Sequence, residues 1–473
     1  MSHDNASLPV LSMPVPSQEQ VSDLIKAQSQ ALVVAHKASR GRPSALSWTH
    51  LCLGVVACML LGWHSQLDLR RLLCFEGFWD WPVVPRLCDQ AIYNRLARAD
   101  TWMHALFDRV SQHLRARLEP WQDRRLAPFA RAVYALDESH LDEMGRYLPE
   151  LRALCHKDAN LRAGRISALF DVRLQQWVRV DLLQEAVTNC KVHARAMIAG
   201  VQAGTLLLFD RGYFAFEWLD DLTQAGLFWI SRSSNAVSYT IVHVCYRGDG
   251  VLDAIVTLGN YRADQARYPV RLIQFWYRGQ QYAYLTNVCD PLVLPLADVV
   301  RLYARRWDIE LAFRLLKDHL QVRLLWSAKW PVIQVQLWAG LLLGQVFHAL
   351  QQEIAHQAGV EAEEVSLELL VRLTPRWLQR GIDPVLYAVQ WGRDLGLIRP
   401  SSRTRFEAPL VEPGWVQPPP ASVLRPREYA RHAHRNCQAR SKSKATRTAV
   451  GKQGPKLRLK DGVLVSVHLN LLE

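Results

Sequence analysis

The sequence predicts an α/β fold with helical flanks, and three observations carry that expectation. Apolar runs at Val133–Leu136 and Thr205–Phe209 read as buried strands, and a turn, a helix and another strand at Leu227–Ser231 follow the second. Residues 233–295 are mostly β in pattern. Helical periodicity dominates before about residue 130 and again after 296. With 473 residues, 49% hydrophobic and 21% charged, the chain can bury a sizeable core.

Taken in order, residues 1–40 are a polar leader rich in Ser, Gln and Ala, with one helix expected around Gln18–His36. Region 41–130 is helical: an apolar run over 45–73, a Trp- and Pro-broken loop from Phe75 to Pro85, then Asp89–Arg98. A cap at Asp89, apolar Ala91, Ile92 and Leu96, and polar Gln90, Asn94, Arg95 and Arg98 suit the second helix of a DNA-reading helix-turn-helix, although bundle helices share the pattern. Residues 131–232 form the first part of the core. There the strand Val133–Leu136 ends at Asp137, Ile166–Val172 and Trp177–Leu183 pair across Arg173–Gln176, and Thr205–Phe209 ends at Asp210. Asp210-Arg-Gly-Tyr213 is a turn, and Phe214–Gln224 a helix packing back on the sheet.

The β-rich stretch 233–295 contains strands at Tyr239–Cys245 and Val251–Leu258, and a hairpin of Val270–Tyr277 with Tyr282–Val288 across Arg278-Gly-Gln-Gln281. Residues 296–352 complete the core, with Leu302–Leu320 as an amphipathic helix and Leu337–Gln352 apolar nearly all round, hence buried. Helices at Ser366–Trp377 and Pro384–Trp391 fill 353–412. Residues 413–473 read as a Pro-rich linker and a basic tail, disordered until a partner binds.

Net charge is +13, and it is unevenly placed: residues 425–460 hold twelve Lys and Arg against Glu428 alone. A polyanionic partner is therefore favoured, through the tail above all. Nine scattered cysteines without a CxxC pair read as small core residues of a reducing, cytoplasmic protein. No signal peptide is visible, and the apolar run Leu51–Trp63 is short of the roughly 20 residues that cross a bilayer. No membrane partner is expected.

On a helix, Tyr303, Arg306, Glu310 and Lys317 share one narrow stripe beside an apolar edge of Leu302, Ile309, Phe313, Leu316 and Leu320. Alone, that also describes a surface helix with an i,i+4 Arg306–Glu310 pair. Asp137, Asp210 and Glu310 gain meaning together, since a layered fold can bring two strand ends and a helix face to one edge. Three converging acids need cations, and oxygen-only donors suit Mg²⁺ or Mn²⁺. Two such ions support in-line phosphoryl transfer, with Arg306 and Lys317 meeting phosphate. Glu138, Asp142 and Glu143 stand close enough to Asp137 to leave the choice of ligand open. Ser139 has no nucleophile elbow around it, which excludes the commonest serine-hydrolase pattern. His432 and His434 belong to the solvated tail.

The four letters at Tyr303, Arg306, Glu310 and Lys317 resemble the Y-x2-R-x3-E-x6-K signature of the bacterial insertion-sequence transposases called YREK, within the DDE superfamily. Leu285-Thr-Asn-Val288, Arg305-Arg-Trp-Asp-Ile-Glu310, Ala312-Phe-Arg-Leu-Leu-Lys317 and Asp210-Arg-Gly-Tyr213 are similar to that family's wording, over roughly residues 130–350. The resemblance implies a ribonuclease-H-like core interrupted by a β-rich insertion, with Asp137 bridging two Mg²⁺ or Mn²⁺ ions and Asp210 and Glu310 each completing one shell. It implies phosphate contacts from Tyr303, Arg306, Lys317 and Arg232, and a homodimer on double-stranded DNA that pairs transposon ends. It further implies cleavage by hydrolysis, often through a hairpin, then joining of 3′ ends to target DNA, with Trp229, Trp276 or Trp307 available to hold a flipped base. Two alternatives stay open: a domesticated or decayed DNA-binding protein, and a metal nuclease without strand transfer.

Overall fold

The computed structural model describes residues 46–428, except 64, 79–80, 85–86, 142–163, 186–189, 234–236, 260–264, 324 and 402–407, together with 27–28, 456–460 and 463–467. The expected leader helix, apart from residues 27–28, and most of the basic tail lie outside the described residues.

The chain opens with α1 (Trp48–Leu60), capped by the Ser47 hydroxyl, which accepts the His50 N–H. Thr49 to Leu60 are all buried, as an apolar helix without a polar face must be. Next, α2 (Gln66–Arg71) runs into a π turn at Leu72–Glu76. Then come α3 (Asp89–Leu96) and α4 (Asp100–Leu118). The expected helix-turn-helix needs correction. Twelve residues separate Glu76 from Asp89, where that motif uses three or four. The three-residue link Ala97–Ala99 instead follows α3, which makes it the first helix of a tight pair, and α4 packs along the core.

The sheet has nine strands: β1 (Val133–His140), β2 (Arg165–Asp171), β3 (Gln176–Leu183), β4 (Leu206–Phe209), β5 (Phe228–Arg232), β6 (Tyr239–Gly248), β7 (Val251–Leu258), β8 (Val270–Tyr277) and β9 (Gln280–Thr286). Their order is β3-β2-β1-β4-β5-β9-β8-β7-β6. β4 runs parallel to both β1 and β5, and the remaining pairs are antiparallel. The β-rich stretch thus extends the core sheet, because β9 pairs with β5 through Ile230↔Thr286 and its neighbours. β1 is longer than expected, since pairing with β2 continues to His140↔Arg165, so Asp137 lies inside the strand. The β8–β9 turn is tighter than expected. Tyr277 pairs with Gln280, leaving Arg278 and Gly279 at φ 49° and 75°, a left-handed pair that glycine accommodates.

Between strands lie α5 (Cys190–Met197) and α6 (Phe216–Gln224) on one face. The other face carries α7 (Leu296–Arg305), α8 (Trp307–Arg314), α9 (Trp330–Ala358), α10 (Leu367–Gln379) and α11 (Pro384–Trp391). Strand alternation divides the core: Leu206, Leu208 and Ile230 face the α9 side, while Leu207, Phe209 and Trp229 face α6. The 29-residue α9 is long and apolar enough to cross a membrane, but 94% of its apolar window is buried inside the protein. Seven cysteines fall among the described residues, and Cys52, Cys58, Cys74 and Cys245 of these are buried.

Residues 413–428 are not the loose linker expected. Gln417 donates to the carbonyl of Cys245 on the edge strand β6 at 2.8 Å, and its own carbonyl meets His243 at 3.1 Å. Arg427 then clamps the β7–β8 loop, its Nη2 donating to Leu258 and Ala266 carbonyls at 2.6 and 2.7 Å. Beyond it, β10 (Lys456–Lys460) and β11 (Val463–Val467) form a separate hairpin.

Candidate active site

Parallel pairing sets the first two acids side by side. Leu136 is in register with Phe209, so the next residues on the two strands are Asp137 and Asp210. Alternation turns both towards the α7–α8 side, where the third acid arrives. Asp210 shapes its own turn: Oδ1 accepts the Gly212 N–H at 2.8 Å and caps the 3-10 turn Arg211–Tyr213. A Cβ at Gly212 would stand 2.8 Å from that same oxygen, which explains the glycine in Asp-Arg-Gly.

The expected helix Leu302–Leu320 is not one regular α-helix. It comprises α7, a junction at Arg306, α8, and a π turn at Leu315–His319, closed by Leu320 N–H to the Leu315 carbonyl at 2.9 Å. Its apolar edge is buried as expected: Leu302, Ile309, Phe313, Leu316 and Leu320. The π turn adds a residue to the repeat and re-aims Lys317, whose ammonium donates to the His140 carbonyl at the end of β1. Behind the helix, Asp308 is buried and accepts from Gln175 at 2.7 Å and Arg305 at 2.8 Å, while Arg305 also meets Glu363 at 2.9 Å. This network, which fixes the helix against the β2–β3 turn, was missed in the sequence. Its only trace was an Arg and an Asp three apart, on one face.

Arg306, for which the resemblance implies a phosphate contact, is 6% exposed and turned towards the acids, Nη1 donating to Asp137 Oδ2 at 3.3 Å and Nη2 to Glu310 Oε1 at 2.5 Å. One guanidinium therefore ties the first acid to the third. Burial pushes the Asp137 carboxyl up to about 6, with Asp210 and Glu310 adding to the rise, while Arg306 and the Glu138 N–H oppose it. The three acids consequently feel one another's charge. Tyr303 is buried against Tyr284, ring centroids 5.0 Å apart, and burial raises its phenol. Arg232 is exposed at the end of β5, its guanidinium 5.4 Å from the Tyr282 ring.

Beside this group, Glu138 faces the other way and forms a buried pair with Arg165 at 2.8 Å, so it is not a fourth acid of the cluster. Asp142 and Glu143 lie outside the described residues. Arg95 lies over the Trp48 ring at 4.2 Å, in the helical layer, and Arg98 is exposed in the link after α3. Trp229 is fully buried and donates to Thr223, which rules it out as the holder of a flipped base, while Trp276 and Trp307 are exposed.

Among the described residues, no three His, Cys, Asp or Glu side chains stand close enough, as they lie, to grasp one ion. The chemistry of the donors still fits a hard divalent cation, because all are carboxylate oxygens and burial keeps the Asp137 carboxyl raised in spite of Arg306.

Residues 134–343 match the family described as a transposase DDE domain. A Sinorhizobium fredii protein bearing a transposase name, y4zB, is 25% identical over 227 residues, 46% of this chain and 61% of its own. The Escherichia coli transposase InsG for insertion sequence element IS4 is 27% identical over 160 residues, 32% of this chain and 35% of its own. Each match thus spans less than two thirds of the relative's length. A cryo-EM structure of piggyBac transposase in a synaptic complex with hairpin DNA aligns at 10% identity and a TM-score of 0.37, covering 88% of this chain and 91% of that one. The domain match and the two named relatives thus make the central part of the chain similar to transposases.

Proposed function

We propose that this protein is the transposase of an insertion sequence, of the YREK-signature family, with a ribonuclease-H-like core. The observation that carries the reading is the strand register that sets Asp137 beside Asp210, with Arg306 linking Asp137 to Glu310, inside the segment that matches a transposase DDE domain. A mixed sheet with helices on both faces suits that core. The substrate is double-stranded DNA: the protein binds transposon ends, cuts them by hydrolysis and joins the freed 3′ ends to target DNA, with a hairpin as one route of excision. Pairing two ends implies a homodimer on DNA.

Asp137, Asp210 and Glu310 would hold two Mg²⁺ or Mn²⁺ ions. When bound, such ions activate water or a 3′-hydroxyl and stabilise the leaving oxygen. The other side chains handle the strand. Arg232, exposed at the end of β5, and Lys317, whose ammonium meets the end of β1, neutralise and orient phosphates. Tyr303, its phenol kept protonated by burial, is a hydrogen-bond donor at neutral pH. Trp307, beside Arg306 and exposed, offers a ring to an unstacked base. Arg98 on the helical layer offers a further phosphate contact, whereas Arg95 is committed to Trp48.

The test is cleavage and strand transfer with Mg²⁺ on DNA carrying the element's own ends, comparing wild type with Glu310→Ala. Loss of both reactions with end binding intact is the expected result, by a factor of at least ~10³ given the size of metal-ion effects on phosphoryl transfer. Equal activity would remove Glu310 from the chemistry. Cleavage without joining by the wild type would make the protein a nuclease.

A further inference from the structure

Two buried arginines make different use of the same guanidinium. Arg271 is fully enclosed, with Nε and Nη2 gripping both oxygens of Asp253 at 2.7 and 2.6 Å and Nη1 donating to the Leu294 carbonyl at 2.5 Å. A bidentate fork with its remaining edge satisfied is how an arginine serves as permanent structure. Arg306 is held otherwise. It makes one contact to each of two acids, and its buried Nε has no hydrogen-bond partner. Its other neighbours are two aromatic side chains, Tyr303, whose hydroxyl interacts with it as well as the ring at 5.8 Å, and Trp307, whose ring lies 5.4 Å from the guanidinium carbon. Trp307 is 54% exposed, so a guanidinium sliding along that ring reaches solvent.

We infer that Arg306 is a displaceable cation that competes with metal for Asp137 and Glu310 and is drawn off them by a phosphate of bound DNA, so that metal loading is coupled to substrate. The inference rests on the reading of Asp137, Asp210 and Glu310 as the metal-holding acids. Guanidinium and divalent ion want the same carboxylate oxygens and repel each other at that range. A phosphodiester offers the planar fork a bidentate anionic partner, which its two present single contacts do not. Phosphate that takes the arginine favours the ion, and by linkage the ion favours phosphate by the same factor.

The experiment is calorimetric titration of Mn²⁺ into the full chain without DNA, for wild type, Arg306→Met, Arg306→Gln and Glu310→Ala, with thermal melts to establish that each is folded. Both Arg306 variants are expected to bind Mn²⁺ about tenfold more tightly than wild type, and Glu310→Ala more weakly, tenfold being an ordinary size for coupling between sites. Saturating a short DNA duplex should then narrow the gap between wild type and the Arg306 variants. Equal or weaker binding by the folded Arg306 variants, with dependence on Glu310 intact, overturns the competition. A gap that the duplex leaves unchanged overturns the coupling to DNA. Mn²⁺ binding that is absent throughout, or indifferent to Glu310→Ala, overturns the acid-site reading itself and the inference with it.

Discussion

Asp137 and Asp171 have carboxyls pushed up to about 6, in both cases by burial first, yet they serve different ends. Asp171 belongs to the scaffold: its Oδ1 accepts the N–H groups of Arg173 and Leu174 at 2.9 and 3.0 Å and forms the β2–β3 turn. Its folded value lies above its ordinary 3.8. The protonated form is therefore favoured by folding, and that contribution is complete below about pH 4 and lost as pH rises through about 6. Asp171→Asn keeps the accepting oxygen and removes the charge. It should be more stable than wild type at pH 7, by at most ~3 kcal/mol, with the difference vanishing near pH 4. Urea melts at the two pH values decide this; a gap that persists at low pH would mean the charge is not the cause. At this scale the sequence was readable for residue type and mute on direction. Four residues of the helix stripe could be named, but nothing local revealed that Arg306 points at a carboxylate 169 residues away.

Among elements, the Asp210 turn has the least slack. Gly212→Ala puts a methyl carbon 2.8 Å from the oxygen that caps the turn, so Asp210 must swing. A shift of that kind should lower cleavage about ten- to a hundredfold, because misplacement by an ångström is costly in catalysis. Thermal stability should stay close to wild type, as Asp210 and Arg211 lie outside the packed core. Unchanged cleavage would indicate that the turn tolerates the methyl group. The strands of this region were legible because they are short apolar runs that stop at polar residues. The π turn was not, since residue 315 to 319 carries ordinary helix formers and the bulge arises where the helix packs against the β1 end and α9. Prolines between 413 and 426 suggested a linker for a similar reason: composition reports what the segment cannot form, a helix, and says nothing of long-range partners such as those of Arg427.

For the whole molecule, charge and fold are carried by different parts. Residues 429–473 hold ten Lys and Arg against Asp461 and Glu473, a net of +8 out of +13. Removing them while keeping the Arg427 clamp should leave the fold in place and flatten the salt dependence of DNA binding, each lost phosphate contact taking ~0.9 from the log–log slope. An unchanged slope would assign the electrostatic contact to the body instead. The continuity of the sheet could not be read in advance, because β9 reaches β5 only after the chain has built β6, β7 and β8.

Such continuity exposes one side. β6 ends the sheet, and a terminal strand offers bare N–H and C=O groups on which another copy can stack. Gln417 takes up one of those groups, the Cys245 carbonyl, and its own carbonyl meets the His243 ring, while Arg427 keeps the segment in place, so the Pro-rich stretch behaves as a selvedge that stops the weave from growing. Chains cut before residue 413 would keep the acids and lose this border, and their failure would be self-association rather than lost chemistry.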